Sequence, residues 1–288
     1  KIHRSAGRCA DGVGGHLPTH SGRMDPPPIG ARSGGAMDTK ASNKGNVANR
    51  LWVGSACKAL SMSPNERLMA VCGRDVFKIV SLSNDPGDLS SSSSSSSSFK
   101  EVQSLHQGRK QNLTFSSNDV HWHPLHANSD LLASAATNST VVVWNLTSKL
   151  HKHQQCLLQQ HRRSVNRVRW HPSEPNLLLS ASQDGTAMLW DIREKGGSKI
   201  TFQEHARHAL DAQWCPHMIT NLAVSYDDGS LRVWDARMYQ TPKHRIEAHF
   251  EPVWCLDWHP THKDVIATAS RDHTIGIWTL RSSSAEKT

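Results

Sequence analysis

Long apolar stretches are absent from this sequence, and no run approaches the roughly 18 residues that a membrane-spanning helix requires. The six cysteines are scattered and form no C-x-x-C pair, which argues against a zinc site and against a compact disulfide framework. A Gly-rich phosphate loop, a G-x-S-x-G elbow and an H-E-x-x-H motif are also missing. We therefore expect no cofactor, no metal ion and no catalytic residues, and thiols that stay reduced.

The positive charge of the chain is concentrated at its start. The formal net charge is +8, and residues 1–50 contain eight Lys or Arg against three Asp. Five of the eight net charges thus lie in this segment, and the rest of the chain is close to neutral. Because a nucleic-acid-binding domain carries its basic residues on its folded surface, this distribution disfavours nucleic-acid binding.

Three segments have compositions that do not favour a packed core. Residues 1–48 contain nine of the eighteen glycines and a run of three prolines, which predicts a disordered basic tail. Nine consecutive serines, Ser90–Ser98, predict a loop insertion over residues 87–99, and residues 281–288 predict a polar tail. The first residue is Lys and no apolar signal region follows, so we interpret the chain as a fragment without a secretory signal.

A 44-residue repeat dominates the remaining sequence. Four positions recur at this interval in three copies: His161, His205 and His249; Trp170, Trp214 and Trp258; Asp184, Asp228 and Asp272; and Trp190, Trp234 and Trp278. A period of about 40–45 residues that ends in Trp-Asp is typical of WD repeats, each of which forms one four-stranded propeller blade. The sequence therefore predicts an all-β WD-repeat β-propeller over residues 49–280.

Five repeat units can be aligned, although the first is degenerate and the fifth is incomplete. The third is the clearest, with predicted strands Val165–Trp170, Leu177–Ser182, Ala187–Ile192 and Lys199–Gln203. Either the N-terminal residues complete a five-bladed ring, or the protein is part of a larger propeller, which we favour. Unpaired edges at Ala56–Met62 and Thr274–Leu280 predict aggregation or pairing with another chain.

His, Ser and Asp in each unit resemble the members of a hydrolase triad. A triad requires a single convergence of nucleophile, base and acid, whereas here the set recurs once per blade. We therefore predict a structural hydrogen-bond network within each blade. Its predicted members are His161, Asp184, Trp190, His205, Asp228, Trp234, His249, Asp272 and Trp278.

The basic residues beside the repeat histidines are the candidates for binding a partner. Arg162 and Arg163 follow His161 in a predicted loop, where they can face an acidic protein. Together with Trp170 they also resemble a base-stacking surface, but the alternation Val165, Val168, Trp170 predicts that this Trp packs inward. The nineteen histidines lie at equivalent points of separate blades, which argues against a metal site.

Beyond the repeat itself, several segments resemble one family. They are Gly73–Ile79 (GRDVFKI), Asn118–His123 (NDVHWH), Leu132–Asn138 (LASAATN), Trp144–Leu146 (WNL), His161–Val168 (HRRSVNRV), Ser182–Gly185 (SQDG), Pro252–Pro260 (PVWCLDWHP) and Ala267–Asp272 (ATASRD). In this order they resemble the N-terminal propeller of the WD repeat-containing protein 24 family, which belongs to the second GATOR complex. The resemblance covers about residues 50–280.

This resemblance implies a non-enzymatic scaffold that promotes amino-acid signalling to the TOR kinase complex. It also implies other GATOR-type subunits as partners, no small-molecule substrate, and a cytoplasmic protein that associates peripherally with the lysosomal or vacuolar membrane. No segment here resembles the family's helical solenoid or RING, so no zinc ligand is carried over. The alternatives are another WD-repeat adaptor, in a trafficking coat or a ubiquitin ligase, and an RNA-binding propeller.

Overall fold

The computed structural model describes residues 51–83, 98–105, 116–147, 153–194, 197–204 and 208–280. Within these ranges the chain forms nineteen β-strands and one short 3-10 turn, His126–Asn128. No helix in the described ranges has the length and apolar character needed to cross a membrane. The predicted tails 1–48 and 281–288, most of the predicted Ser-rich insertion, and His205 lie outside these ranges.

The strands form five antiparallel sheets, which we number as blades 1 to 5. Blade 1 contains β1 (Cys57–Met62), β2 (Leu68–Gly73), β3 (Phe77–Ser83) and β4 (Ser98–Ser104). Blade 2 contains β5 (Ser117–Trp122), β6 (Leu131–Ala136), β7 (Thr140–Asn145) and β8 (Gln154–Gln159). Blade 3 contains β9 (Val165–Trp170), β10 (Leu177–Ser182), β11 (Thr186–Asp191) and β12 (Ile200–Gln203). Blade 4 contains β13 (Ala209–Trp214), β14 (Asn221–Tyr226), β15 (Ser230–Asp235) and β16 (His244–Glu247), and blade 5 contains β17 (Val253–Trp258), β18 (Val265–Ser270) and β19 (Ile275–Thr279).

The tight turn between the second and third strands needs one residue with positive φ. Gly185 and Gly229 supply it in blades 3 and 4, at φ values of 85° and 84°. Ser139 and His273 occupy the equivalent place in blades 2 and 5, at 66° and 68°. A Cβ on Gly229 would lie 2.0 Å from the carbonyl oxygen of His249, so this turn requires glycine for space as well as for conformation.

Each blade packs one face against the following blade. The first strands β1, β5, β9, β13 and β17 lie side by side along the series. Between blades 2 and 3, Val141 and Val143 pack against Val168 and Trp170, and all four are buried. The same alternation of strand residues builds the cores between blades 1 and 2, 3 and 4, and 4 and 5. The large apolar residues at these positions are therefore explained by contact between neighbouring sheets.

Two faces at the ends of this series are exposed. Ile275 and Ile277 of blade 5 are 77% and 74% exposed, although the equivalent residues of blade 4, Leu231 and Val233, are fully buried. Leu60 of blade 1 is 68% exposed, although the equivalent residues of the other blades are buried aliphatic residues: Val120, Val168, Ala212 and Leu256. In each pair of neighbouring blades, a face of the first kind packs against a face of the second kind. The exposed faces of blades 5 and 1 have no such blade packed against them among the described residues.

The predicted fold class, an all-β propeller of about five blades, is confirmed. The third strand of blade 3 runs from Thr186 to Asp191, one residue before the predicted range, because Thr186 pairs with Gln203. The exposed last strand covers Ile275–Thr279, shorter at both ends than predicted. The predicted insertion 87–99 overlaps β4, which begins at Ser98 because Ser98 pairs with Ser83.

Candidate functional site

The repeat residues of blade 3 form a hydrogen-bonded network around a buried hydroxyl group. His161 Nδ1 lies 2.9 Å from Asp184 Oδ2, and His161 Nε2 lies 2.7 Å from Ser180 Oγ. The indole N–H of Trp190 donates to the same Ser180 oxygen at 2.8 Å. Thr186 completes the network by donating its hydroxyl to Asp184 at 2.6 Å. The network thus joins the loop before the first strand to the next two strands of the blade.

Blade 5 repeats this arrangement with a threonine in place of the serine. His249 contacts Asp272 at 2.9 Å and Thr268 at 2.8 Å, and Trp278 donates to the Thr268 hydroxyl at 2.9 Å. In blade 2 the indole of Trp144 donates to Ser134 at 2.9 Å.

Blade 4 departs from the pattern at one position. Asp228 accepts a hydrogen bond from the Ser230 hydroxyl at 2.5 Å, as in the other blades. Val224, however, stands where blade 3 has Ser180, and the buried Trp234 Nε1 has no hydrogen-bond partner among the described residues. Trp234 packs instead against Phe202 of blade 3, with ring centroids 5.6 Å apart.

The serine, histidine and aspartate of blade 3 are engaged by one another and by Trp190. Ser180 is fully buried and its oxygen is already engaged by both Trp190 and His161, so no substrate carbonyl can approach it. Burial alone would raise the pKa of Asp184, but hydrogen bonds from His161, Thr186 and the Arg162 amide hold it well below its ordinary value.

A second set of polar contacts joins neighbouring blades along their first strands. Arg167 of blade 3 donates Nε and Nη2 to the two oxygens of Asp211 in blade 4, at 2.7 and 3.1 Å. Arg169 donates to Asp119 of blade 2 at 2.7 Å, and Asp119 also accepts the amide of Val168 at 3.0 Å. Asp119 and Asp211 are buried, so these charge-assisted bonds tie blades 2, 3 and 4 together.

The predicted partner-facing arginines lie at the end of the blades that carries the turns after the second strands. Both Arg162 and Arg163 are exposed. The Arg163 guanidinium donates to His208 Nε2 at 2.9 Å, and His208 Nδ1 lies 2.9 Å from Asp227 of blade 4. Arg163 is therefore held in place by the next blade, whereas Arg162 contacts Asp184 only through its backbone amide.

A recess of about 460 Å³ lies at this same end, which we call the loop-end recess. Its lining residues come from four successive blades: Asn118, Asn166, Arg167, Gln183, His208, Leu210, Asp227, Pro252, Trp254 and Arg271. The recess combines amide, cationic and apolar groups, and Trp254 is 56% exposed within it. It is a concave surface that a partner segment can enter.

Reasoning from sequence found Arg163 beside this recess but missed its lining. The 44-residue interval could have identified these residues, because Asn166, Leu210 and Trp254 follow it. Gln183, Asp227 and Arg271 follow the same interval. The first set begins the first strands and the second set follows the second strands, and antiparallel pairing brings both to one end of the sheets.

Two parts of the chain match a known family of sequence repeats. The family model described as "WD domain, G-beta repeat" matches residues 152–191 and 240–279. The chain carries WD repeats. The first match covers strands from the end of blade 2 to the third strand of blade 3, and the second runs from the end of blade 4 to the end of β19.

Curated relatives share one description. The chain is 37% identical over 150 residues to "GATOR2 complex protein WDR24" of Dictyostelium discoideum, which covers 51% of this chain and 14% of the relative. It is 42% identical over 137 residues to the protein of that name from Danio rerio, and 39% identical over 137 residues to the one from Homo sapiens. Each of these two alignments covers 48% of this chain and 16% of the relative.

The resemblance to the WD repeat-containing protein 24 family is confirmed by these comparisons. The chain spans about one sixth of the length of the curated relatives it matches. The name that these relatives share describes a protein of a complex. The described part of the chain contains no group of three or more His, Cys, Asp or Glu suited to hold a metal ion.

Proposed function

We propose that this chain is a non-enzymatic scaffold that holds partner proteins within a GATOR2-type complex. The similarity to "GATOR2 complex protein WDR24" over about half of the chain is the observation that carries the proposal. The blade architecture supports it, because short strands linked by hydrogen bonds between blades form a rigid base for variable loops. Residues 49–280 would form the scaffold, with tails at 1–48 and 281–288.

The hydrogen-bond networks have a structural role in this proposal. His161, Asp184 and Trp190 hold the loop that carries Arg162 and Arg163, and His249, Asp272 and Trp278 hold the corresponding loop of blade 5. A buried network whose members are all paired stiffens the segments that it joins. The predicted counterpart in blade 4 includes Asp228 and Trp234, together with His205.

We further propose that the assembly promotes amino-acid signalling to the TOR kinase complex at the lysosomal or vacuolar membrane. The chain would reach that membrane through its partners, as a peripheral component. Support for this step comes from the shared description of the relatives alone.

Affinity purification of the tagged chain from its own cells tests the scaffold proposal. We expect mass spectrometry to identify GATOR2 subunits in the purified material. Recovery of coat proteins or ubiquitin-ligase subunits without any GATOR2 subunit would overturn the proposal in favour of another WD-repeat adaptor.

A charge reversal at the loop end sharpens this experiment. Arg162→Glu with Arg163→Glu should lower recovery of the partner that contacts this loop by at least tenfold, because like charges repel across a partly desolvated interface. Lys243→Glu is the matched control, since Lys243 is exposed and lies in the loop between the last two strands of blade 4, at the opposite end. Equal loss with the control variant would show that the effect is not specific to the loop.

A further inference from the structure

The amide side chains that line the loop-end recess make hydrogen bonds to other groups of the chain. Asn166 donates to the carbonyl of Ala209 at 2.8 Å and accepts from Gln183 at 3.3 Å. Asn118 donates to the carbonyl of Val165 at 2.8 Å and accepts from Lys58 at 2.7 Å. Three of these four contacts cross between blades, so the shape of the recess is fixed before any partner arrives. A preformed site loses little conformational entropy on binding.

Arg167 and Asp227, two charged residues of the lining, already have partners within the chain. Arg167 pairs with the buried Asp211 and lies 3.6 Å from Asp119. Asp227, the acidic residue of the lining, is occupied by His208 through both the ring and the backbone amide, each at 2.9 Å. Both side chains are therefore already engaged by neighbouring residues.

Arg271 is different, because its guanidinium has no carboxylate within ion-pair distance in the part of the chain that the structure describes. The nearest acid in sequence, Asp272, is engaged by His249 and Thr274. Arg271 is exposed, and its backbone amide donates to the carbonyl of Pro252 at 3.0 Å. The backbone of the turn is thus held in place, while the Arg271 guanidinium can still bind an external carboxylate. Arg163 is a second exposed cation nearby, beside His208.

The apolar part of the lining consists of Leu210, Pro252 and Trp254. A half-exposed Trp offers a large, flat surface, and residues of this kind often contribute most to binding when a partner covers them. An apolar side chain seated here would have a carboxylate neighbour within reach of Arg271.

We propose that the loop-end recess binds an acidic peptide segment of a partner protein, with a carboxylate paired to Arg271 and an adjacent apolar side chain packed on Trp254. This inference rests on the proposed scaffold function and names the chemistry of the partner. Arg271 supplies a planar, bidentate donor for the carboxylate, and Arg163 raises the local positive potential at the rim.

Fluorescence anisotropy with the intact chain tests the proposal. The probe is a fluorescein-labelled hexapeptide of alternating Glu and Leu, and the comparison peptide has Lys in place of Glu. We expect the acidic peptide to bind at least tenfold more tightly than the basic one, and its affinity to fall with added salt. Arg271→Glu and Trp254→Ala should each weaken binding at least tenfold, whereas Lys243→Glu should change it less than twofold.

Equal binding of the basic peptide, or full binding by both Arg271→Glu and Arg271→Gln with unchanged thermal melting, would overturn the proposal. Displacement of the acidic peptide by a 20-nucleotide oligouridine would also overturn it, in favour of RNA. The outcome is separable from that of the purification experiment: peptide binding without recovery of GATOR2 subunits would support the recess and contradict the scaffold assignment. Recovery of GATOR2 subunits without peptide binding would do the reverse.

Discussion

The indole N–H of Trp190 donates a hydrogen bond of 2.8 Å to the hydroxyl of Ser180, and both groups are buried within blade 3. Blade 4 keeps the tryptophan, as Trp234, but has Val224 in the place of the serine. The buried indole N–H of Trp234 consequently lacks a partner among the described residues. An unpaired buried donor costs roughly 1–3 kcal/mol, so an acceptor placed beside this indole should stabilise the blade.

Val224→Thr should raise the free energy of unfolding by about 1 kcal/mol, because the new hydroxyl accepts from Trp234 as Thr268 does from Trp278. Urea unfolding measures the change. Val143→Thr is the control, because Val143 is buried in the apolar core between blades 2 and 3 and its hydroxyl would lack such a partner. A similar loss of stability in both variants would contradict the proposed pairing.

Exchanging residues at the tight turns should have opposite effects in two blades. Gly229→Ala should destabilise the protein by at least about 1–3 kcal/mol, because alanine is strained at positive φ and its Cβ meets the carbonyl of His249. Ser139→Gly should stabilise it by about 0.5–1 kcal/mol, since it relieves a serine held at a φ of 66°. Thermal melting followed by circular dichroism distinguishes the signs, and a gain from Gly229→Ala would refute this account of the turn.

Removal of the His161 side chain should lower the free energy of unfolding, because two buried or half-buried groups lose their hydrogen-bond partner. In His161→Ala, Asp184 and Ser180 lose a shared partner, so we expect a cost of about 1–3 kcal/mol. A double-mutant cycle with Asp184→Ala should show coupling of at least about 0.5 kcal/mol. Simple additivity of the two single changes would mean that the contact contributes nothing to stability.

Acid should destabilise the protein over a range set in part by His121. Burial and the positive charge of Arg169 lower the pKa of His121 from 6.5 to about 3. The unfolded chain therefore binds one more proton between these values, and stability falls as the pH is lowered from about 6.5 to about 3. His121→Asn should reduce this loss while keeping an acceptor for the Trp170 amide.

The urea midpoint, measured at several pH values, reports this effect. The matched control is His126→Asn, which replaces an exposed histidine of the same blade. An unaltered slope in His121→Asn would show that other groups cause the acid sensitivity.

The exposed faces of blades 1 and 5 should make the purified chain self-associate. Ile277→Asp should reduce the concentration dependence of its sedimentation, because it places a charge on the face that other blades cover with apolar residues. Leu157→Asp, on the outer strand β8, is the control for a generic gain in solubility. A wild-type chain that sediments as one species at all concentrations would exclude the contact.

Most of the blade architecture could be predicted because inward-facing residues repeat at a fixed interval. The strands Val165–Trp170 and Leu177–Ser182 have the ends that the sequence predicts. The outer strands β8 and β16 were not predicted, because alternate residues face solvent and the segments contain few large apolar groups. Their pairing is specified by the adjacent strand rather than by their own pattern.

The candidate site was harder to predict than the fold. Arg163 was recognised from its position beside a repeat histidine, but Trp254 and Arg271 were not, since their positions follow the 44-residue interval while the residue type there changes from blade to blade. Grouping them requires the knowledge that strand starts and hairpin turns meet at one end of the sheets. The defect at Val224 could have been found from sequence, because it lies ten residues before Trp234 just as Ser180 lies ten before Trp190.

The alternating charges along the first strands also bear on how such a chain can change by recombination. Asp119, Arg167 and Asp211 occupy the same place in blades 2, 3 and 4, so each carboxylate faces a guanidinium. Deleting blade 3, or duplicating any one of blades 2 to 4, would place two like charges side by side in a buried contact, whereas inserting a copy of two successive blades would keep the alternation. Recombination should therefore preserve this contact when it adds blades in pairs. We expect a chimaera with two added blades to fold more stably than a chimaera with one added blade.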